Sequence, residues 1–135
     1  MCLVAIALGQ SDSRLTGTWT ADYHGTTYVR VALADGTAGP QGSMSIGQSI
    51  HVDKEGNVDS ATPASTTLSR MLDIRWNGSV LSFSIKADDD VDRFELRLIN
   101  TNTAELTPIV PEEQQRELAA DGIPLPKPFR LTKTR

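Results

Sequence analysis

The chain has 135 residues and a formal net charge of −4, from 13 Lys and Arg against 17 Asp and Glu. This length fits one domain with a single core, and the positive charges are scattered, unlike the basic stripe that binds nucleic acid. No apolar run approaches the roughly 20 residues of a membrane-spanning helix. We therefore expect one domain, no nucleic-acid partner and no membrane span.

The first nine residues, MCLVAIALG, have the pattern of a signal peptide. Their apolar run resembles an h-region, and Ala7-Leu8-Gly9 has the small-x-small form of a signal-peptidase site. A basic n-region is missing, so either the signal peptide is truncated because the start codon is placed too late, or the segment is a buried N-terminal strand. The single cysteine, Cys2, lies in this segment and has no internal disulfide partner. We expect residues 1–9 to be removed, residues 10–135 to form the domain, and the protein to be secreted or periplasmic.

Residues 15–58 alternate between apolar and other side chains with a period of two, which is typical of β-strands. Strands are predicted at 15–23, 26–34 and 43–52, and Val58 opens a short continuation. The dipeptide His24-Gly25 predicts a turn between the first two strands. In the second strand, Tyr28 is expected on the outward face, opposite to the face of Val29. The inward side chains are expected to be Leu15, Trp19, Ala21, Val29, Val31, Leu33, Met44, Ile46, Ile50 and Val52.

The alternation continues after a polar loop at 60–66. Asn77-Gly78 is the strongest hairpin signal, because both central residues of a type I′ turn need positive φ. The predicted strands are 71–76, 79–87, 92–100, 103–110 and 129–135. Their inward side chains are expected to include Leu72, Ile74, Trp76, Phe94, Leu96, Leu98, Phe129 and Leu131.

The only helical pattern is PEEQQRELAADG at 111–122. Pro111 suits a first helical position, Glu112 and Arg116 form an i,i+4 pair, and Gly122 suits the end. The predicted fold class is therefore all-β: a single antiparallel up-and-down β-barrel of about 8 strands, with one short helix before the last strand. Closing the sheet removes the exposed edges of its sequential hairpins.

The segment LTGTW, with Gly17-Thr18-Trp19, resembles the G-x-W opening of lipocalins and, more broadly, of calycin barrels, which include the avidins. In those families the first-strand Trp closes the barrel floor under a basic side chain from a late strand. The resemblance implies Trp19 for the first role and Arg130 or Lys133 for the second. It covers this motif, the strand order and the chain size, but no later lipocalin motif and no Trp-lined biotin pocket.

A closer overall likeness is to uncharacterised small exported bacterial β-barrel proteins. These open with G-T-W, carry a hairpin reading V-L-S-F and end in a strand of the type P-K-P-F-R-L-T-K. The corresponding segments here are 80–83 and 126–133. This likeness implies the barrel and no particular function.

The sequence contains no familiar catalytic or cofactor motif. The segment 42–47 lacks the spacing of a G-x-S-x-G elbow, and phosphate-binding glycine loops, C-x-x-C and H-E-x-x-H are missing. Aspartates alternate in the run 86–92 with the spacing of calcium ligands, but Arg93 and Ile99 stand where an EF-hand needs Gly and a bidentate Glu. His24 and His51 are expected to be exposed and apart. We therefore expect no enzymatic activity, no cofactor and no metal.

Two functions fit this pattern. The first is a secreted, non-catalytic barrel that serves as a structural or protein-interaction module, and the alternative is a lipocalin-like binder of a small apolar ligand in the barrel. They differ in whether side chains fill the interior, since an eight-stranded barrel has room for either. Binding is expected at the open end or through the loops 35–42 and 60–67. The candidate ligand or barrel-floor residues are Trp19, Trp76 and Arg130.

Overall fold

The computed structural model describes residues 13–36, 39–87 and 89–134, which leaves the predicted signal peptide outside the described residues. A 3-10 turn, Ser13–Leu15, opens this part of the chain, and the helix α1, Glu112–Ala120, precedes the last strand. No helix in these ranges is long and apolar enough to cross a membrane. The strands are β1 (Gly17–Tyr23), β2 (Thr26–Gly36), β3 (Gly39–Ile46), β4 (Ile50–Val52), β5 (Val58–Ala61), β6 (Ser69–Arg70), β7 (Leu72–Trp76), β8 (Val80–Ala87), β9 (Asp90–Asn100), β10 (Thr103–Ile109) and β11 (Phe129–Lys133).

Nine strands form one antiparallel sheet in the order β6-β3-β2-β1-β11-β10-β9-β8-β7. Its two edge strands, β6 and β7, are consecutive in the chain and only Met71 separates them. Residues 69–76 therefore pair first with β3 and then with β8, so one stretch of chain bridges both edges. The result is a nearly closed, all-β barrel with a short helix before its last strand, as the sequence predicts.

The predicted count of about eight strands is wrong, because the sheet has nine strands and a second sheet contains β4 and β5. One predicted strand is broken. The predicted strand 43–52 is interrupted after Gly47, whose amide donates a hydrogen bond to the Tyr28 carbonyl (2.8 Å). Ser49 then pairs with Thr62 instead of with β2, so the chain leaves the barrel wall.

A second departure from the predicted alternation is at Met71, which lies between β6 and β7. Met71 is buried, whereas Leu72, which the alternation places inward, is 40% exposed. The cause is an irregular register between Leu72 and Arg75, where Asp73 has a positive φ of 52°. One irregular residue is enough to reverse which side chains of a strand face the core.

The type I′ turn occurs at His24-Gly25, where φ is 48° and 83°, and not at Asn77-Gly78. Gly78 has a φ of 98°, but Asn77 does not have a positive φ. The Asn77 side-chain oxygen instead accepts a hydrogen bond from the Val80 amide at 2.9 Å. The central residues of that turn are therefore 78 and 79, with the positive φ at the first, as in a type II′ turn.

A β-bulge adds one side chain to the core. Ala21 pairs with Val29 and Asp22 pairs with Thr27, so Tyr28 is the extra residue of β2. Bulges re-aim side chains, and Tyr28 and Val29 are both buried. The simple alternation of β2 is therefore wrong at Tyr28. Its ring meets that of Phe129 edge to face, with centroids 5.6 Å apart.

The barrel has two ends of different construction. Trp19, early in β1, pairs with Lys133 at the end of β11, so the 3-10 turn before β1 and the end of the chain share one end, which we call the floor. At the other end, which we call the mouth, two long connections leave the sheet. They are residues 47–68 between β3 and β6 and residues 110–128 between β10 and β11.

Candidate functional site

A pocket of about 730 Å³ lies at the mouth, and we call it the mouth pocket. Its walls come from the ends of β3, β9 and β10, from the hairpin β4–β5, and from the start of α1. Most of its lining is aliphatic, aromatic or proline. The apolar lining residues are Ile46, Ile50, Val52, Val91, Phe94, Pro108, Ile109, Val110, Pro111, Pro126 and Phe129.

The inward faces of β9 and β10 place two of these side chains. Phe94 lies two residues before the buried Leu96 in β9, and Pro108 lies two residues after the buried Leu106 in β10. Phe94 and Pro108 are also direct cross-strand partners. The alternation that builds the core therefore continues upward and supplies the base of the mouth pocket.

Below Phe94 and Phe129 the barrel is filled by side chains. Phe83 packs beneath the mouth, with its ring stacked on that of Phe94 at 5.7 Å between centroids and 21° between planes. The side chains of the filled part with no more than 1% exposure include Trp19, Val29, Val31, Met44, Leu81, Phe83, Leu96, Leu106 and Leu131. The interior is thus packed solid toward the floor, and the mouth pocket lies above this packed part.

The polar side chains that line the mouth pocket, within the described residues, are two amides, two carboxylates and one guanidinium. Asp90, Asp92 and Arg93 are exposed at its edge. Within the described ranges, no three metal-ligating side chains converge. Most of the lining is therefore apolar, with the charged side chains at its edge.

Trp19 lies at the floor and does not line the mouth pocket. It is fully buried, and its indole Nε1 donates a hydrogen bond to the Leu15 carbonyl at 2.9 Å. The Lys133 ammonium lies 5.5 Å from the indole ring centroid and donates to the Arg14 carbonyl at 2.9 Å. Lys133 therefore covers the ring and ties the 3-10 turn to the last strand.

Arg130 and Trp76 are in other places. The Arg130 side chain is 71% exposed on the outer face and meets the Glu105 carboxylate at 3.9 Å, so it is not over Trp19. Trp76 is half-buried at the floor end of β7, opposite Leu81, and packs against the core. The structure therefore brings Trp19 together with Lys133, whereas Arg130 lies on the outer face.

The loops predicted to carry binding lie outside the mouth pocket. Of residues 35–42, the described ones belong to β2 and β3 at the floor end. Residues 60–67 pass β2, where the Ala64 amide donates to the Thr27 carbonyl (2.9 Å), and they line a smaller recess beside Met44 and Ile85. The sequence analysis missed most of the mouth residues. Their signal was a cluster of prolines at 108, 111 and 126 beside apolar residues at strand ends.

Tyr28 is a titratable group of the core whose pKa is shifted. Burial raises the pKa of its phenol above the ordinary value of 10.0, and the nearby Asp22 carboxylate raises it further. Both effects disfavour the phenolate. Tyr28 is therefore neutral under ordinary conditions and acts in packing.

A second cleft, of about 760 Å³, lies where β3 and β7 diverge. Met71 fills its base, and its walls carry the exposed side chains of Gln41, Arg70 and Asp73 beside strand backbone. This lining is more polar than that of the mouth pocket. The mouth pocket is therefore the better candidate for binding an apolar molecule.

The chain matches no protein-family model, and no curated protein or solved structure is significantly similar to it. The geometry of the mouth pocket is therefore the basis on which a function can be assigned.

Proposed function

We propose that this protein is a non-catalytic β-barrel that binds a small apolar molecule in the mouth pocket. The observation that carries the proposal is an apolar recess of about 730 Å³ above a solidly packed core. Pockets for small molecules typically measure roughly 300–1,000 Å³ and are lined mainly by hydrophobic and aromatic side chains. The sequence favoured an interaction module over a ligand binder, whereas the pocket favours a ligand binder over an interaction module.

The construction of the barrel supports this function. The filled half below Phe94 and Phe129 holds the pocket base rigidly, because side chains in close-packed cores occupy few conformations. The sealed floor at Trp19 and the open opposite end also fit the resemblance to lipocalins and calycins. Export to the periplasm or the outside, from the motif Ala7-Leu8-Gly9, is part of the proposal.

The test is a titration with the neutral, apolar, fluorescent dye N-phenylnaphthylamine. The informative pair of variants is Ile109→Asp and Ile99→Asp, because the two isoleucines are similarly exposed, at 39% and 46%, and only Ile109 lines the mouth pocket. We expect saturable binding that Ile109→Asp weakens by about tenfold or more, equivalent to about 1.4 kcal/mol. Ile99→Asp should bind the dye like the wild type.

Equal effects of the two variants, or no saturable binding by the wild type, would contradict the proposal. A thermal-shift screen against fatty acids, sterols, haem and quinones extends the test to natural ligand classes. A ligand at 100 times its dissociation constant adds about 2.7 kcal/mol, which raises the melting temperature of a domain this size by roughly 10 °C.

The second candidate function is a protein-interaction module, and exposed apolar side chains near the mouth favour it. Val91 is 59% exposed, Ile123 is 49% exposed and Leu125 is 41% exposed. A partner protein would cover such a surface. This function would be favoured over ligand binding by two results together. The dye and thermal-shift experiments would show no binding, and a protein captured from the native host would bind the wild type more tightly than Val91→Asp.

A further inference from the structure

Two separate parts of the chain build the outer wall of the mouth pocket. The first is the hairpin β4–β5, which contributes Ile50 and Val52. The second is α1 with the segment after it, residues 121–128, which we call the strap and which contributes Pro126. Neither part belongs to the nine-stranded sheet. The contact between these two parts therefore completes the outer wall of the pocket.

The hairpin and the strap meet at Gly56. The Lys127 amide donates a hydrogen bond to the Gly56 carbonyl at 2.9 Å. A Cβ on residue 56 would lie 2.7 Å from the Leu125 carbonyl oxygen and 3.2 Å from the Lys127 nitrogen, and φ at Gly56 is 87°. The strap backbone thus passes so close to this turn that a side chain would push it away. We call this contact the clasp.

The hairpin side of the clasp is well organised. The Asp53 carboxylate accepts hydrogen bonds from the amides of Glu55 (3.0 Å) and Asn57 (2.9 Å), and the Gly56 amide donates to the Asp53 carbonyl at 3.0 Å. An Asx-type turn of this kind has a defined backbone path. The turn therefore presents the Gly56 carbonyl to the strap in a fixed direction.

The strap side is anchored much less firmly. α1 has no buried residue, and a hydrogen bond from the Gln115 side chain to the Val110 carbonyl (2.8 Å) holds its first turn near β10. Prolines at 124, 126 and 128 keep the strap extended and remove backbone donors. Segments with little burial and few backbone hydrogen bonds open at low free-energy cost.

We propose that the clasp at Gly56 is the latch of the mouth pocket, and that its release admits and discharges the ligand. The inference rests on the proposed binding of an apolar molecule at the mouth. When the clasp opens, the strap carries Pro126 and the helix away from Ile50 and Val52 of the hairpin. The solid lower half of the barrel does not take part, because its core packs independently of the strap.

The test compares Gly56→Ala with Gly78→Ala in the full chain. Both glycines have positive φ, at 87° and 98°, but a Cβ at position 78 has no heavy atom within 4 Å. The two variants therefore share the backbone strain, and only Gly56→Ala collides with the strap. The measurements are hydrogen exchange of the Lys127 amide by NMR and stopped-flow association and dissociation of N-phenylnaphthylamine.

We expect Gly56→Ala to speed exchange at Lys127, and to speed both dye association and dye release, by about fivefold or more relative to Gly78→Ala, the factor expected for one lost hydrogen bond. The equilibrium affinity should change less than either rate. Wild-type exchange at Lys127 in Gly56→Ala would show that there is no clasp. Faster exchange with unchanged dye rates would show that the clasp does not control the pocket.

Failure of the proposed function is distinguishable from failure of the latch, because in that case the wild type itself would bind no dye. That result would also overturn the latch. If Gly56→Ala does not fold, Lys127→Pro and Lys127→Ala provide the same comparison from the strap side. Both remove the side chain and only the proline removes the amide donor. Faster dye exchange in the proline variant alone supports the latch, and equal rates in the two variants overturn it.

Discussion

The floor and the mouth of this barrel are built in opposite ways. At the floor, short turns join the strands, and Trp19 is enclosed by Leu15 from the preceding turn and Lys133 from the last strand. At the mouth, the two long connections contribute no strand to the nine-stranded sheet between β3 and β6 or between β10 and β11, and they meet each other at Gly56. Stability should therefore be concentrated at the floor. Binding should be concentrated at the mouth, as is usual for loops on a rigid scaffold.

The largest expected effect is at the floor. Trp19→Ala removes a fully buried ring and its hydrogen bond, and we expect a loss of about 3–5 kcal/mol in the free energy of unfolding. Denaturant melts measure this loss, and Trp76→Ala is the control, with a smaller loss because Trp76 is only half-buried. A loss below roughly 1 kcal/mol for Trp19→Ala, the size of a surface change, would contradict a stabilising role for the floor.

A smaller loss of stability is expected when one cation at the floor is replaced, and a cation on α1 near the mouth provides the comparison. Lys133→Met keeps the side-chain length over the Trp19 ring but removes the charge and the donor to the Arg14 carbonyl, so we expect a loss of about 1 kcal/mol. Arg116→Met removes the exposed pair with Glu112 (3.6 Å) on α1 and should cost less than about 0.5 kcal/mol. Equal losses in denaturant melts would mean that the two ends do not differ in this way.

The smallest effect appears only at alkaline pH. The pKa of Tyr28 is higher in the folded protein than its ordinary value of 10.0, so the stabilisation that accompanies this shift is fully present below pH 10.0. It is lost as the pH rises through the folded pKa, because the unfolded chain releases the proton first. Tyr28→Phe should therefore retain more of its stability than the wild type above pH 10.0. Parallel stability curves for the two proteins between neutral and alkaline pH would rule this out.

Local sequence patterns predicted most of the barrel because they depend on neighbours in the chain. The inward positions of Val29, Val31, Leu96 and Leu131 follow from a period of two, and the helix before the last strand follows from its own residues. The predictions failed where the pairing between two strands became irregular, which the pattern of one strand alone does not show. Examples are the bulge at Tyr28 and the reversal of Met71 and Leu72.

The mouth pocket and its clasp illustrate the limit most clearly. In sequence, Ile46, Phe94 and Phe129 are ordinary inward residues near the ends of three strands, and Gly56 is an ordinary turn glycine. Strand periodicity determines which face a side chain occupies. Whether that face ends in packed core or in open space depends on which distant segments cover it. The strand pattern and the burial of Trp19 were therefore readable from the chain alone, whereas the pocket and the contact that encloses it arise only when the hairpin and the strap meet in the folded barrel.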